Sequence, residues 1–163
     1  MNQQKQEKSY NLISKRFVTG SMDGKAKIWQ ENPATGKFDQ VAELLSNKNN
    51  AHDDWVRDVA WCSNIGTMKD VIASVGEDQK LKIWTNQNSS KDLSGWKLQF
   101  EMPFSEPVWK CSWSPVGFML AVSCGDNQTR VFKADNDDKW HVVSQINEKG
   151  ELQELEQQLQ QVQ

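Results

Sequence analysis

The sequence predicts an all-β fold in which one four-stranded unit is repeated along the chain, and three observations support this. Three hairpin segments align without gaps, each with a strand of small residues, an aspartate turn and a strand ending in an aromatic residue. A tryptophan-rich segment precedes two of these hairpins, and an aromatic residue opens a further strand after each hairpin. The aligned segments are FVTGSMDGKAKIW (17–29), IASVGEDQKLKIW (72–84) and LAVSCGDNQTRVF (120–132).

The first unit, 15–50, contains three of the four predicted strands. Its hairpin turns at Asp23-Gly24, and glycine accepts the positive φ that tight hairpin turns require. A third strand is predicted over 37–45. The polar segment KSYNLISK stands where a tryptophan-rich strand is expected. We therefore expect an incomplete unit, preceded by a polar and disordered segment, 1–14.

The second unit, 51–102, and the third, 103–147, each contain four predicted strands. WVRDVAW opens the second unit and PVWKCSW the third, and their turn aspartates are Asp78 and Asp126. A small twisted sheet that is apolar on both faces must be covered on both faces. Four short strands per unit, repeating at somewhat more than about 40 residues, therefore predict a β-propeller. The chain would supply two complete blades and three strands of a preceding blade.

The C-terminal segment, 148–163, is predicted to be a polar tail or a short amphipathic helix. Its apolar residues follow the spacing of a helical stripe, although a helix of about 13 residues is marginal in isolation. These residues are Leu152, Leu155, Leu159 and Val162.

Composition excludes several classes of function. The net charge of −3 does not indicate a surface for nucleic acid or for anionic membranes. No apolar run is long enough to span a bilayer, and no glycine-rich phosphate loop is present. Cys62, Cys111 and Cys124 have neither paired nor zinc-site spacing. We expect a reduced cytosolic or nuclear protein that binds no cofactor, metal or small-molecule substrate.

The second unit carries the polar residues by which these units resemble WD repeats: His52, Ser74, Asp78 and Trp84. An imidazole can accept a hydrogen bond from the serine or the indole while donating to the carboxylate. The same Ser/His/Asp types could instead serve nucleophilic catalysis. No Gly-x-Ser-x-Gly elbow accompanies them, so the structural role is favoured.

The third unit departs from this pattern. Phe104, Val122 and Phe132 stand at the histidine, serine and tryptophan positions, which leaves only Asp126. We therefore expect apolar packing to hold this unit. The first unit keeps Asp23 with a threonine and a tryptophan but lacks the histidine.

The segments AHDDWVRDVAWCSNIG and PVWKCSWSPVGFMLAVSCGDNQTRVF resemble a more specific family, and the resemblance runs from about Lys15 to Asn147. This is the family of small WD-repeat propeller subunits shared by the outer cage of the COPII vesicle coat and the outer ring of the nuclear pore. The resemblance implies an open six-bladed propeller that a large helical partner closes by inserting a blade. This chain would match roughly the C-terminal half of such a propeller, although Phe132 stands where the family usually has tryptophan.

The resemblance implies a non-enzymatic scaffold on the cytoplasmic face of the endoplasmic reticulum and COPII vesicles, and at the nuclear pore of the nuclear envelope. The implied partner is a large helical coat subunit or a helical nucleoporin, with membrane contact only through the coat. The last blade, 103–147, would flank the inserted blade. Its candidate partner-facing residues are Trp109, Trp113, Phe118 and Trp140.

Two alternatives remain open. The chain could be another WD-repeat interaction module, such as the paralogous nuclear-pore propeller or a ubiquitin-ligase substrate receptor. An enzyme built on a propeller would instead need charged groups at the mouth of the channel, where Arg57, Asp58 and Lys110 are the candidates.

Overall fold

A computed structural model of the protein describes residues 15–46, 49–63, 69–87 and 92–154. The predicted N-terminal segment 1–14 and residues 155–163 of the segment predicted as a polar tail or a short amphipathic helix lie outside these residues. No helix that could cross a bilayer occurs in the described part. The strands are β1 (Arg16–Gly20), β2 (Ala26–Glu31), β3 (Phe38–Leu44), β4 (Val56–Trp61), β5 (Asp70–Gly76), β6 (Lys80–Asn86), β7 (Lys97–Pro103), β8 (Val108–Trp113), β9 (Met119–Cys124), β10 (Thr129–Ala134), β11 (Trp140–Ile146) and β12 (Leu152–Glu154).

The strands form three antiparallel sheets, which confirms the prediction of an all-β partial propeller. The first sheet has the order β1-β2-β3, the second β4-β5-β6-β7, and the third β8-β9-β10-β11-β12. The three aligned hairpins share one register, because the first residue of each pairs with the last. These pairs are Phe17 with Trp29, Ile72 with Trp84, and Leu120 with Phe132.

The hairpin turns are also equivalent. The residue after the turn aspartate has a positive φ in every case: 77° at Gly24, 62° at Gln79 and 60° at Asn127. Asparagine tolerates this left-handed region through its short polar side chain, whereas glutamine rarely adopts it. The aspartate-turn pattern in the sequence therefore marks one backbone geometry, even where glycine is absent.

Burial differs between the middle and outer sheets. Every residue of β5 from Val71 to Gly76 is buried, because both faces of the second sheet are covered. In β9, buried residues alternate with more exposed ones, which is typical of a sheet covered on one face. One apolar cluster lies between the first and second sheets and another between the second and third. Among the described residues, the third sheet therefore has one uncovered face.

The helical alternative for the C-terminal segment is wrong where the structure describes it. The chain reverses after β11 in a turn at Asn147–Glu151, in which Gly150 has a φ of 77°. The Asn147 side chain accepts hydrogen bonds from the Lys149 and Glu151 N–H groups, at 3.0 Å each. This turn directs Leu152–Glu154 back along β11, where they pair as β12. Without β12, the outer edge of β11 would leave its backbone N–H and C=O groups without a neighbouring strand. Leu152–Glu154 therefore pair with this edge as a strand and do not form a helical turn.

Candidate functional site

Four polar side chains of the second unit, two on strands and two on loops, form a continuous series of hydrogen bonds. The Trp84 indole N–H donates to the Ser74 hydroxyl, which donates to His52 Nε2; both distances are 2.8 Å. His52 Nδ1–H then donates to an Asp78 oxygen, also at 2.8 Å. This direction follows because a carboxylate can only accept, so Nδ1 carries the proton of the neutral ring. The Asp53 backbone N–H donates to the second Asp78 oxygen at 3.1 Å.

The geometry of this series of hydrogen bonds supports a structural role for the four residues. His52, Ser74 and Trp84 are all completely inaccessible to solvent. A catalytic serine must reach a substrate, and the Ser74 oxygen is instead enclosed between an indole and an imidazole. The hydrogen bonds link the loop before β4 to β5 and β6, the two central strands of the second sheet. Among the described residues, no group of three histidine, cysteine or carboxylate side chains is arranged to hold a metal ion.

Stability should depend on the charge of Asp78. Burial raises the pKa of Asp78, but the hydrogen bonds from His52 and the Asp53 N–H outweigh it, so the pKa lies below its ordinary value of 3.8. A lowered folded-state pKa stabilises the fold above the unfolded pKa, and this contribution is lost as the pH falls through the folded value. We expect the free energy of unfolding to decrease below about pH 4, and to decrease less in Asp78→Asn. Denaturant titrations between neutral and acidic pH measure both slopes. Equal acid slopes would contradict this assignment.

A buried lysine of β6 holds the segment that connects the first and second sheets, and the sequence analysis did not identify it. Lys82 is 1% exposed, and its ammonium group donates to the Ala51 carbonyl at 2.7 Å and the Ser46 hydroxyl at 2.8 Å. Glu101 on the neighbouring strand lies 3.3 Å away and balances the charge. The ammonium thus ties the loop before His52 to β6, so that the imidazole is held from two sides.

In the third sheet an arginine, Arg130, donates to the turn aspartate, as His52 does in the second unit. The Arg130 guanidinium donates to Asp126 at 2.7 Å and lies over the Phe104 ring, 5.1 Å from its centroid. Burial raises the pKa of Asp126, whereas the Arg130 hydrogen bond and the Gln128 N–H lower it, and the net direction is downward. Apolar packing is also present, since the Phe132 ring is buried against Phe104. The prediction that apolar packing holds this sheet is therefore incomplete, because the ion pair of Arg130 with Asp126 also contributes.

Arg130→Met is expected to lower the free energy of unfolding by about 1–3 kcal/mol, because a partly buried carboxylate loses its charged donor. Methionine retains most of the apolar stem over Phe104, so the loss reports on the ion pair rather than on packing. Arg130→Lys is the matched control, and it should lose less because it keeps the charge. Urea denaturation measures both variants; equal losses would show that the charge on residue 130 does not matter.

The charged candidates for an enzyme site, Arg57, Asp58 and Lys110, are engaged in contacts between the second and third sheets. The Arg57 guanidinium lies between the Trp55 and Trp109 rings, 5.0 and 4.9 Å from their centroids, and pairs with Glu77. Asp58 accepts a hydrogen bond from the Cys111 N–H at 3.1 Å, with Lys110 3.7 Å away. These groups bridge two sheets, so their positions are explained without catalysis.

The structure separates the four candidate partner-facing residues into two kinds. Trp109 and Phe118 are 45% and 65% exposed. Trp113 and Trp140 instead pack against the cluster between the second and third sheets, and the Trp113 indole N–H donates to the Ala60 carbonyl at 3.0 Å. They share the face of Cys111 and Phe132, which points toward the second sheet and away from the uncovered face.

Comparison with known proteins gives one family and a consistent set of relatives. The model of the WD domain, G-beta repeat, matches residues 10–30, 44–85 and 96–133. Over 134 residues the chain is 40% identical to the "Protein transport protein sec13" of Aspergillus fumigatus, covering 82% of this chain and 41% of that protein. The Kluyveromyces lactis "Protein transport protein SEC13" is 39% identical over 134 residues, covering 82% of this chain and 42% of the protein. The Arabidopsis thaliana "Protein transport protein SEC13 homolog A" is 38% identical over 131 residues, covering 80% and 41%. The chain therefore spans about two fifths of the length of the relatives it matches.

Proposed function

This chain belongs to the family of the WD domain, G-beta repeat, and from that premise we propose that it is a non-enzymatic scaffold, a propeller subunit of the COPII coat in transport from the endoplasmic reticulum to the Golgi. Similarity to protein transport proteins across 82% of the chain is the observation that carries the proposal. Nothing favours the substrate-receptor alternative over it. A role in the outer ring of the nuclear pore, at the nuclear envelope, belongs to the same proposal and rests on the resemblance of the sequence.

A partner's inserted blade would pack on the uncovered face of the third sheet. The supporting observation is the register of β9 with β10, which pairs Val131 with Ala121 and Lys133 with Met119. These residues alternate with the buried Leu120, Val122 and Phe132, so they lie on the opposite face. A face with small and apolar residues at its centre suits packing against another sheet. The partner would be a large helical coat subunit or a helical nucleoporin.

Affinity capture of the tagged chain from cells tests this function. We expect the large helical coat subunit to copurify, and we expect Val131→Glu to abolish this because it places a charge at the centre of the face. Met22→Glu is the control, since it adds the same charge at a residue that is 64% exposed in the first hairpin turn. Capture of cullin components without coat or pore proteins would instead support a substrate receptor.

A further inference from the structure

The first sheet lacks the strand that opens the other two sheets. Strand β4 pairs with β5 and β8 pairs with β9, whereas β1, the equivalent of β5 and β9, pairs only with β2 among the described residues. Within the described part of the chain, the other edge of β1 therefore presents backbone N–H and C=O groups to which an extended segment can add as a strand. The second and third sheets show which kind of segment fits this edge.

Strands β4 and β8 enter their sheets in one register. Trp61 ends β4 and pairs with Ile72. Trp113 ends β8 and pairs with Leu120. Phe17 stands at the equivalent position of β1, because it aligns with both of these partners in the gapless repeat. A strand that adds antiparallel to β1 in the same register therefore places its last residue opposite Phe17.

An exposed aromatic pair of the first sheet lacks a ring that both other sheets supply. In the second sheet the rings of Trp61 and Trp96 meet edge to face, with centroids 5.5 Å apart, and the third sheet repeats this contact at 5.6 Å. Phe38 opens the last strand of the first unit at the position of Trp96. It is 41% exposed and contacts Phe17, which is 40% exposed, at 4.9 Å between centroids. A tryptophan at the end of an added strand would cover both rings.

The first sheet also contains part of the hydrogen-bond series that surrounds His52 in the second unit. The Trp29 indole N–H donates to the Thr19 hydroxyl at 3.0 Å, as the equivalent pair does in the second sheet at 2.8 Å. In the second unit the hydroxyl and the turn aspartate bind the two nitrogens of His52. Thr19 and the turn aspartate Asp23 are instead exposed. An imidazole brought by an added segment can accept from the Thr19 hydroxyl and donate to the Asp23 carboxylate.

Neither histidine of this chain can fill that place. The sequence contains two histidines. His52 is completely buried in the second unit, and His141 bonds the Asp135 carboxylate in the third. A second copy of the chain has the same limit, because its His52 and β4 would have to leave its own second sheet. The segment that fits the first sheet therefore comes from a different protein.

We propose that the first sheet binds an extended segment of another protein that carries a histidine and, nine residues farther on, a tryptophan. This spacing is that of His52 and Trp61. The segment adds antiparallel to β1, its tryptophan covers the two exposed phenylalanine rings, and its histidine connects Thr19 to Asp23. The first sheet lies at the opposite end of the three sheets from the face that receives the coat or pore partner, so the two interactions are independent.

A peptide with the sequence of residues 50–61, NAHDDWVRDVAW, is the probe, because it contains the required histidine and tryptophan. It is titrated into the full chain labelled with nitrogen-15. We expect saturable shifts of the Phe17 amide signal and the Trp29 indole signal, with the Val131 amide in the third sheet unchanged. His52→Ala in the peptide should weaken binding by about tenfold, because both hydrogen bonds of the imidazole are lost.

Thr19→Val in the chain is the matched variant, since valine keeps the branched shape of residue 19 and removes its hydroxyl group. It should weaken binding of the histidine peptide and leave the affinity for the alanine peptide unchanged. Such coupling between the two substitutions reports a hydrogen bond between Thr19 and the peptide histidine, which pairing of backbone edges alone does not produce.

Four outcomes would overturn the proposal. If no signal of β1 shifts in a saturable way, this edge does not accept a strand. If the histidine and alanine peptides bind equally, the site does not recognise an imidazole. If Thr19→Val weakens both peptides by the same factor, the hydroxyl acts on the sheet and not on the histidine. If the same signals shift with protein concentration in the absence of peptide, a second copy of the chain is the occupant.

Discussion

Replacing His52 with alanine is expected to lower the free energy of unfolding by about 3 kcal/mol. The imidazole is completely buried and connects Ser74 to Asp78, so its removal leaves a hydroxyl donor and a carboxylate without their main partners. An unsatisfied buried polar group costs about 1–3 kcal/mol, and more when it is charged. The vacated space adds a further loss, because the surrounding strands cannot collapse fully. Urea denaturation followed by tryptophan fluorescence measures the change.

His141→Ala is the matched control for this substitution. His141 also bonds a carboxylate at 2.8 Å, that of Asp135, but both side chains are 38% exposed. Solvent replaces such a bond, so the expected change is within about 0.5 kcal/mol. If the two variants lost similar amounts of unfolding free energy, burial of the histidine–carboxylate hydrogen bond would not determine how much it stabilises the fold.

Phe132→Ala is expected to destabilise the protein by about 3–5 kcal/mol, the range for truncating a fully buried aromatic residue. Its ring is inaccessible and lies 6.4 Å from the centroids of Phe100 in the second sheet and Phe104 before the third. The substitution therefore removes part of the packing that joins these two sheets. Hydrogen exchange should locate the effect, with faster exchange in β9 and β10 than in β2.

Phe118→Ala removes the same side chain from a position that is 65% exposed. It should change the free energy of unfolding by less than about 1 kcal/mol, because little buried surface is lost. Uniformly faster exchange in all three sheets of Phe132→Ala would contradict a local role for this ring. In that case the three sheets would open as one cooperative unit, and Phe132 would stabilise all of them equally.

The fold could be predicted because the propeller repeats its side-chain pattern. Gapless alignment of the hairpins pairs Ile72 with Trp84 in the same register as Leu120 with Phe132, so the repeat in sequence and the repeat in space coincide. The strand β12 could not be predicted in this way. It has only three residues, and its sequence continues into leucines at helical spacing. Its conformation is set by the free edge of β11, a tertiary contact that local pattern does not contain.

The site was predictable only in part. Lys82 and Arg130 occupy the same place in the aligned hairpins, with Lys27 in the first. This recurrence was the available signal, but the partners differ, since Lys82 contacts Glu101 and Arg130 contacts Asp126. Strand alternation could have placed Trp113 on the face of Cys111 and therefore toward the second sheet. Knowing which face is covered required the packing of the sheets.

Cross-linking of the complex captured from cells tests the scaffold role most directly. Lys133 is exposed and lies on the uncovered face of the third sheet, whereas Lys97 is exposed on the last strand of the second sheet. We predict that an amine-reactive reagent joins Lys133, and not Lys97, to a large helical subunit of the coat or the pore. Cross-links to such a subunit at Lys97 with none at Lys133 would contradict docking on the third sheet. Recovery of the chain without any coat or pore subunit would contradict the scaffold function itself.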